Sequence, residues 1–577
     1  MISTGRMSGL AGAAVAATVA ATLALSSPTA SAPAKKAGPA PACDTAGLSL
    51  PPGFCATVFA DDLGHVRHMA FGPGGVLFAN TWSGRYFPHS PPPAAPFMVA
   101  LRDAKGTGKA DQVARFGPGP GDGVAGGSGV AVYKGHVYAE LNDKIVRYPL
   151  GKDGLPENAP SEVVLSGMPL TGDHPMHPFV ISPKGEIFVD MGSITNACQA
   201  QNRKLHVPGQ TPCTEKETRG GLWKYEADKL GQVFSAKERY ASGIRNGEGL
   251  SFDAAGRLYD TQHGRDQLPA NWPESYTDLK HATELPAEEL LLVRPGGDYG
   301  WPECYYDGFQ DKLVLAPEYG GDGGKAIGPC AKRIPPVAAF PAHWAPNDMA
   351  IYNAGAFPKP YRGGAFIAFH GSWNRAPEPQ AGYNVVFQPL ADGHAAGRFI
   401  LFADGFAGGE RSPAKAAFRP TGLVVGPDGA LYVSDDVKGR IWRIVYRGPA
   451  NAARLVGAAP AKVDEAAAPA APAKALPVPP GATEAEVKAG EALFRGKTCT
   501  GCHGADAKGT PLGPDLTAGT WLWGDGGLAS IRSTIDKGVA APKQYRSPMP
   551  ARGGAGLTDA ELQAVSAYVW AVGHQPK

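Results

Sequence analysis

At 577 residues the chain is long enough for two or more domains, and 43% hydrophobic content supports real cores while 77 Gly and 55 Pro predict many turns. A formal net charge of +2 gives no basis for nucleic acid or an anionic membrane as partner. The first 32 residues carry Arg6, an apolar run near Leu10–Leu25 and Ala30-Ser31-Ala32 as a small-residue cleavage site, which predicts a secretory signal peptide. The run is Ala-rich and short for a retained anchor, and no later stretch is apolar enough to span a bilayer. No Cys stands near the cleavage point to take a lipid, so a soluble mature protein, periplasmic or secreted, is expected.

Residues 33–42 form a polar Pro/Ala-rich lead. From Cys43 to Tyr446 a loose unit recurs, in which a short apolar run meets a Gly-containing turn and then a second β-rich run. Copies begin near Met69, Val130, Val180, Leu250 and Met349, and the clearest is Leu423-Val424-Val425-Gly426-Pro427-Asp428-Gly429-Ala430-Leu431-Tyr432-Val433. Spacing of roughly 50–75 residues is that of propeller blades with loop insertions. Helical periodicity is missing here, which excludes a helical solenoid. Cys43, Cys55, Cys198, Cys213, Cys304 and Cys330 fall in this region, and proximity favours the pairs 43–55, 198–213 and 304–330 in an oxidising compartment.

Residues 447–481 shift to Ala and Pro and predict a linker. The last segment, 482–577, opens with the capping box Thr483…Glu486, and Val487, Gly490 and Phe494 share one helical face. It leads into Cys499-Thr500-Gly501-Cys502-His503, the C-x-x-C-H arrangement of covalent c-type haem attachment, with His503 as axial iron ligand. A redox dithiol or zinc half-site is the alternative, and no second Cys or His pair follows at ligand spacing. Met549 is the only methionine after the motif and supplies the sixth ligand, ahead of His574 near the terminus; His/Met ligation suits an electron acceptor. A second box, Thr558…Glu561, opens a helix with Leu562, Val565 and Val569 on one face. Terminal helices bracketing C-x-x-C-H and a late Met describe a small all-α cytochrome c domain.

Four strings in the propeller carry a resemblance: Ala241-Ser242-Gly243-Ile244-Arg245-Asn246, Gly297-Asp298-Tyr299-Gly300-Trp301-Pro302, His370-Gly371-Ser372-Trp373-Asn374-Arg375, and Arg419-Pro420-Thr421-Gly422. Residues 53–447 with these strings resemble the sorbosone dehydrogenase-like branch of the soluble PQQ-dependent glucose dehydrogenase superfamily. The resemblance implies an all-β six-bladed propeller, PQQ on its axis, Ca²⁺ beneath it, and oxidation of a sugar alcohol or aldehyde. By position it assigns His174 as catalytic base, with His177 as a nearby rival. It assigns Arg245 to the reactive quinone carbonyl and Asn246 and Arg419 to the cofactor. Gly264 and Arg265 fall where backbone carbonyls hold calcium. Two positions depart from the family. Ser193 stands where an Asp orients the base, leaving Asp173 or Asp190 to compensate or the base less tightly held, and Thr421 replaces a second arginine, a role open to Arg375. Arg265 introduces a charge that Asp266 is placed to offset. Trp301 and Trp373 are candidate walls of a sugar pocket or core aromatics.

The combined expectation is an exported quinohaemoprotein that oxidises a sugar at PQQ and passes electrons to haem c, then to an external cytochrome or quinone. Two rivals remain at this level: a Ca²⁺-dependent lactonase-like hydrolase fused to a cytochrome, and a non-catalytic sugar-binding propeller carrying one.

Overall fold

The computed structural model describes residues 43–81, 96–119, 127–372, 374–376, 378–413, 415–449, 454–461, 476–496, 499–504, 507–509, 513–539, 542–545, 549–554 and 557–575. The expected signal segment 1–32, the expected lead 33–42, Trp373 and most of the expected linker lie outside them.

Six four-stranded antiparallel units form the propeller, the second extended by the short parallel strand Gln232–Val233. Blade 1 is Val66–Phe71, Leu77–Thr81, Met98–Arg102 and Gln112–Phe116; blade 2 is Val130–Tyr133, His136–Leu141, Lys144–Pro149 and Glu162–Ser166. Blade 3 is Phe179–Ile181, Glu186–Met191, Gly221–Glu226 and Arg239–Ser242; blade 4 is Gly247–Phe252, Leu258–Gln262, Glu288–Val293 and Ala338–Phe340. Blade 5 is Pro346–Ile351, Ala365–Phe369, Asn384–Gln388 and Ile400–Ala403. Blade 6 takes Pro420–Val425, Leu431–Asp435 and Ile441–Tyr446 from the end of the domain and Phe54–Ala60 from its start. Every repeat copy read from the sequence is the inner strand pair of one blade. The turn between the pair needs Gly at Gly185, where φ is +89° and a Cβ would stand 2.6 Å from the Tyr133 hydroxyl.

The ring is closed by blade 6. Phe54 on its outer strand sits 4.8–5.2 Å from the rings of Phe357, Tyr361, Phe402 and Tyr446, mostly edge to face. Inner strands meet backbone to backbone at the axis: a Cβ on Gly422 would lie 2.2 Å from the Arg67 carbonyl of blade 1. A buried acid on the second strand ties blades 2 and 3 to the next blade: Glu140 accepts the His177 amide at 2.7 Å and Asp190 the Gly247 amide at 3.3 Å, while Asp435 accepts the Arg419 amide at 2.6 Å within blade 6.

The three disulfides are Cys43–Cys55, Cys198–Cys213 and Cys304–Cys330, the pairs favoured by proximity. Blade 4 carries insertions on both sides of its third strand, including the hairpin Cys304–Asp307 and Lys312–Leu315, which the repeat pattern did not reveal. The expected linker also begins late. Residues 454–461 are bonded to the propeller through Val456 O to the Tyr361 hydroxyl (3.1 Å), the Ala458 amide to Leu401 O (2.7 Å) and the Ala461 amide to Asp404 (2.9 Å).

In the C-terminal segment both capping boxes form: Thr483 with Glu486, and Thr558 with Glu561 ahead of the helix Asp559–Gly573. The helices Glu484–Gly496 and Asp559–Gly573 pack directly, and Gly490 is the point of closest approach, since a Cβ there would meet the Ala564 carbonyl at 1.9 Å. A third helix, Leu528–Lys537, buries Ile531 and Ile535 in the same core.

Candidate functional site

One end of the propeller axis gathers the residues singled out by the sequence. His174 lies on the crossover from blade 2 to blade 3. Its Nδ1 donates to the Ser193 carbonyl and to Ser193 Oγ, both at 3.0 Å. A carbonyl can only accept, so Nδ1 carries the proton, and the Ser193 hydroxyl spends its own on Thr195 O at 2.7 Å. None of the described residues bonds Nε2, which is left as the basic nitrogen. Burial, helped by the nearby Arg245 charge, lowers the imidazole to about 3, so it is neutral at ordinary pH.

The position expected to weaken the base is therefore its anchor. Asp173 is turned toward Arg203 (3.0 Å) and Asn202 (3.1 Å), while Asp190 receives the Gly247 amide; Ser193 is what orients the imidazole. His177 is fully buried, donating its amide to Glu140 (2.7 Å) and pairing Nε2 with Pro169 O (3.0 Å), and it does not compete for the site.

Arg245 is held from four directions. It donates to Asn196 O (3.2 Å) and Asn196 Oδ1 (3.0 Å), to Gly264 O (3.0 Å) and to Asp266 (2.9 Å). Asp266 also accepts from Arg203 (2.9 Å) and Asn374 (2.7 Å), which brings the His370–Arg375 string into the same cluster. Burial raises the Asp266 carboxyl, but the Arg245 and Arg203 charges outweigh it and hold the group well below the usual carboxylate range. Asp266 thus offsets Arg245 and Arg203. The carboxylate that offsets Arg265 is Glu318, fully buried and also bonded to the Trp272 indole at 2.9 Å. No spacing rule in the sequence links residues 265 and 318.

Arg419 donates to the carbonyls of His370 (3.1 Å) and Gly371 and lies 5.7 Å from the Tyr383 ring centre, leaving Nη1 with no bond among the described residues. Arg375 is fully engaged by Glu284, Ala342 O and Pro379 O. Thr421 is buried and accepts from Asn347 at 3.3 Å. A cation missed in the sequence is Arg67, on the inner strand of blade 1, bonded to Asp436 at 2.8 Å and 3.6 Å from Glu248. Its signal was available: a charged residue in a strand that otherwise reads as core. Asn246 borders Gly192, where a Cβ would fall 2.6 Å from His174 Cβ and 2.9 Å from Asn246 Oδ1. Trp301 is buried behind the Cys198–Cys213 bridge with its indole on Asn196 O (3.0 Å), a core residue.

The residues fit a flat polyanion: an open cationic edge on Arg419, a buried Arg245, and a Gly at the closest approach. Gly264 O accepts from Arg245 at 3.0 Å and keeps a second lone pair of the kind a hard cation uses.

In the C-terminal domain Cys499, Cys502, His503 and Met549 line one cavity, walled by Leu516, Trp521, Ile531, Ile535, Val565 and Val569. The His503 Nδ1 donates to Pro514 O at 3.0 Å, so Nε2 is free to ligate; burial lowers its pKa and raises that of the Cys502 thiol to about 11. Met549 is fixed by a two-way backbone bridge with Val539 (2.8 and 3.0 Å). His574 stacks on Trp570 at 4.1 Å and is not among the residues lining this cavity.

A family model described as TrAA12-like matches residues 126–447. The chain belongs to the TrAA12-like family. That match covers all four strings that carried the resemblance, and the Cytochrome c model matches residues 487–573. A pyrroloquinoline quinone-dependent pyranose dehydrogenase of Coprinopsis cinerea is 29% identical over 236 residues, 35% of this chain and 30% of that protein. The chain spans less than half the length of the curated relatives it matches. Two solved structures share the fold: the calcium structure of the Trichoderma reesei AA12 enzyme (TM-score 0.55, 18% identity, 70% of this chain and 98% of that one) and the holo PQQ domain of the Coprinopsis pyranose dehydrogenase (0.53, 20%, 69% and 97%).

Proposed function

We propose that this TrAA12-like chain is an exported quinohaemoprotein dehydrogenase that oxidises a sugar, an aldose, pyranose or sugar aldehyde. The observation that carries the reading is the open Nε2 of His174 beside the buried guanidinium of Arg245, in a chain that also holds a complete haem-attachment cavity. PQQ supplies a two-electron acceptor when bound, and haem c a one-electron acceptor. His174 Nε2 takes the substrate hydroxyl proton, and Nδ1 keeps the ring oriented by donating to Ser193. Arg245 and Asn246 hold the quinone edge, the first steadying negative charge there. Arg419 pairs its free edge with a cofactor carboxylate. Calcium belongs on the carbonyls of Gly264 and Arg265. Cys499 and Cys502 would hold a haem covalently, and His503 and Met549 would ligate its iron, supplying one-electron transfer.

The leader 1–32 is removed on export to the periplasm or medium, residues 43–446 form the catalytic propeller, and 482–577 the electron-transfer domain. Electrons leave to an external cytochrome or quinone.

The test is a sugar panel read at the haem. Chelator-treated protein should reduce its haem only when sugar, PQQ and Ca²⁺ are all present. Lactone hydrolysis with Ca²⁺ alone and no haem reduction would replace this reading with the hydrolase one.

A further inference from the structure

Arg219 has no role in the reading above, yet it is fully buried at the end of the loop that precedes the third strand of blade 3. Its Nη1 donates to the carbonyls of Gly192 (2.9 Å) and His174 (3.2 Å), and its Nη2 to the Thr171 carbonyl. Two of these carbonyls belong to the crossover that carries the base. The third is one residue before Ser193, on which the imidazole rests. The Asp173 amide bonds Ile194 O at 2.8 Å, and at Gly172 (φ +100°) a Cβ would lie 2.5 Å from Ile194 Cα, so the crossover lies flush against residues 192–194. A planar guanidinium can serve three carbonyls in one plane; an ammonium presents a single point of charge.

We infer that Arg219 is the positioning residue for the base: it bridges the His174 crossover to the Gly192–Ser193 strand end and so sets the orientation of the imidazole. This rests on the dehydrogenase reading for its effect on turnover, but not for its effect on the imidazole itself. The charged groups that act most strongly on that ring are Arg245, Asp173 and Arg203. Arg219 meets the crossover through backbone carbonyls. Releasing the crossover lets water reach the ring, which removes the largest cause of its low pKa.

The experiment compares wild type, Arg219→Ala and Arg219→Lys. Carbethoxylation of His174 by diethylpyrocarbonate, read by peptide mass spectrometry at pH 5 and pH 7.5 with reagent exposure matched at the two pH values, reports its neutral fraction without any cofactor. Wild type should react alike at both pH values; Arg219→Ala should react several-fold less at pH 5, and Arg219→Lys in between. With PQQ and sugar, kcat should fall on the order of 10²-fold in Arg219→Ala and less in Arg219→Lys, as expected for a base displaced by about 1 Å. KM and PQQ affinity should stay within about 3-fold, because Arg219 is fully buried. The acid limb of kcat should move up in pH. If Arg219→Ala does not fold, Arg219→Lys decides alone. Unchanged His174 reactivity in the folded variants, or a rate loss that only tracks the folded fraction, overturns the assignment. Wild type inert toward every sugar would defeat the dehydrogenase reading and leave the carbethoxylation contrast standing as the test of Arg219.

Discussion

Asp266→Asn is the most demanding test of the axial charge cluster. The carboxylate receives one bond from Arg245, one from Arg203 and one from Asn374, all within 2.9 Å, with His343 at 3.9 Å. Arg203 keeps Asp173 as a second anion, but Arg245, with its side chain 4% exposed, keeps only neutral acceptors. Removing one partner of a buried pair costs about 3–5 kcal/mol, most of it the stranded charge. Unfolding entropy near 2 cal/mol/K per residue over a propeller of roughly 400 residues converts this to a Tm drop of about 4–6 °C. The measurement is urea and thermal unfolding of cofactor-free protein. The folded-state pKa of Asp266 is depressed, so its contribution is complete above the ordinary carboxylate range and is lost only as pH falls through the depressed value. The deficit should therefore be the same from pH 5 to pH 8. PQQ, a polyanion, should restore part of the loss. A variant within about 1 kcal/mol of wild type, or a deficit that varies across that pH range, would refute the view that this carboxylate holds the two arginines.

Met549→Ala should lower the haem midpoint potential and open a coordination position to exogenous ligands, measured by redox titration and cyanide binding; an unchanged potential would exclude Met549. A chain ending at Arg447 should be less stable than one ending at Ala461, because it loses the bonds to Tyr361, Leu401 and Asp404, each worth about 1 kcal/mol. Equal melting of the two would show that residues 454–461 do not matter to the propeller. Glu289, buried beside Glu288, is raised to about 8 by burial and then by its neighbour's charge. A raised carboxyl contributes stability that is complete below the unfolded value and is lost as pH rises through the folded one. Glu289→Gln should match wild type near pH 5 and melt higher near pH 8–9. A constant difference across that range would contradict a protonated Glu289.

The sequence by itself determined the blade count and the haem machinery. Each blade's inner pair is a local unit, strand, tight turn, strand, and the two capping boxes and C-x-x-C-H are fixed by neighbours within a few residues. Local chemistry of that kind needs no fold to be read. The family resemblance of the four strings, rather than the blade pattern, nominated His174, Arg245 and Arg419. What only the tertiary structure decided is who partners whom across the ring. Phe54–Ala60 becomes the outer strand of blade 6 because ring closure joins the two ends of the domain, a contact 392 residues apart in the register Phe54↔Tyr446. Glu318 neutralises Arg265 and Asp266 neutralises Arg245 because blade 4's long insertions bring these residues together, and no periodicity encodes that path. Ser193 anchors the base without a charge because Arg219 draws the strand end and the crossover together. Buried charges are satisfied by whatever a closed ring brings within hydrogen-bond reach, and that distance is a property of the fold rather than of the chain.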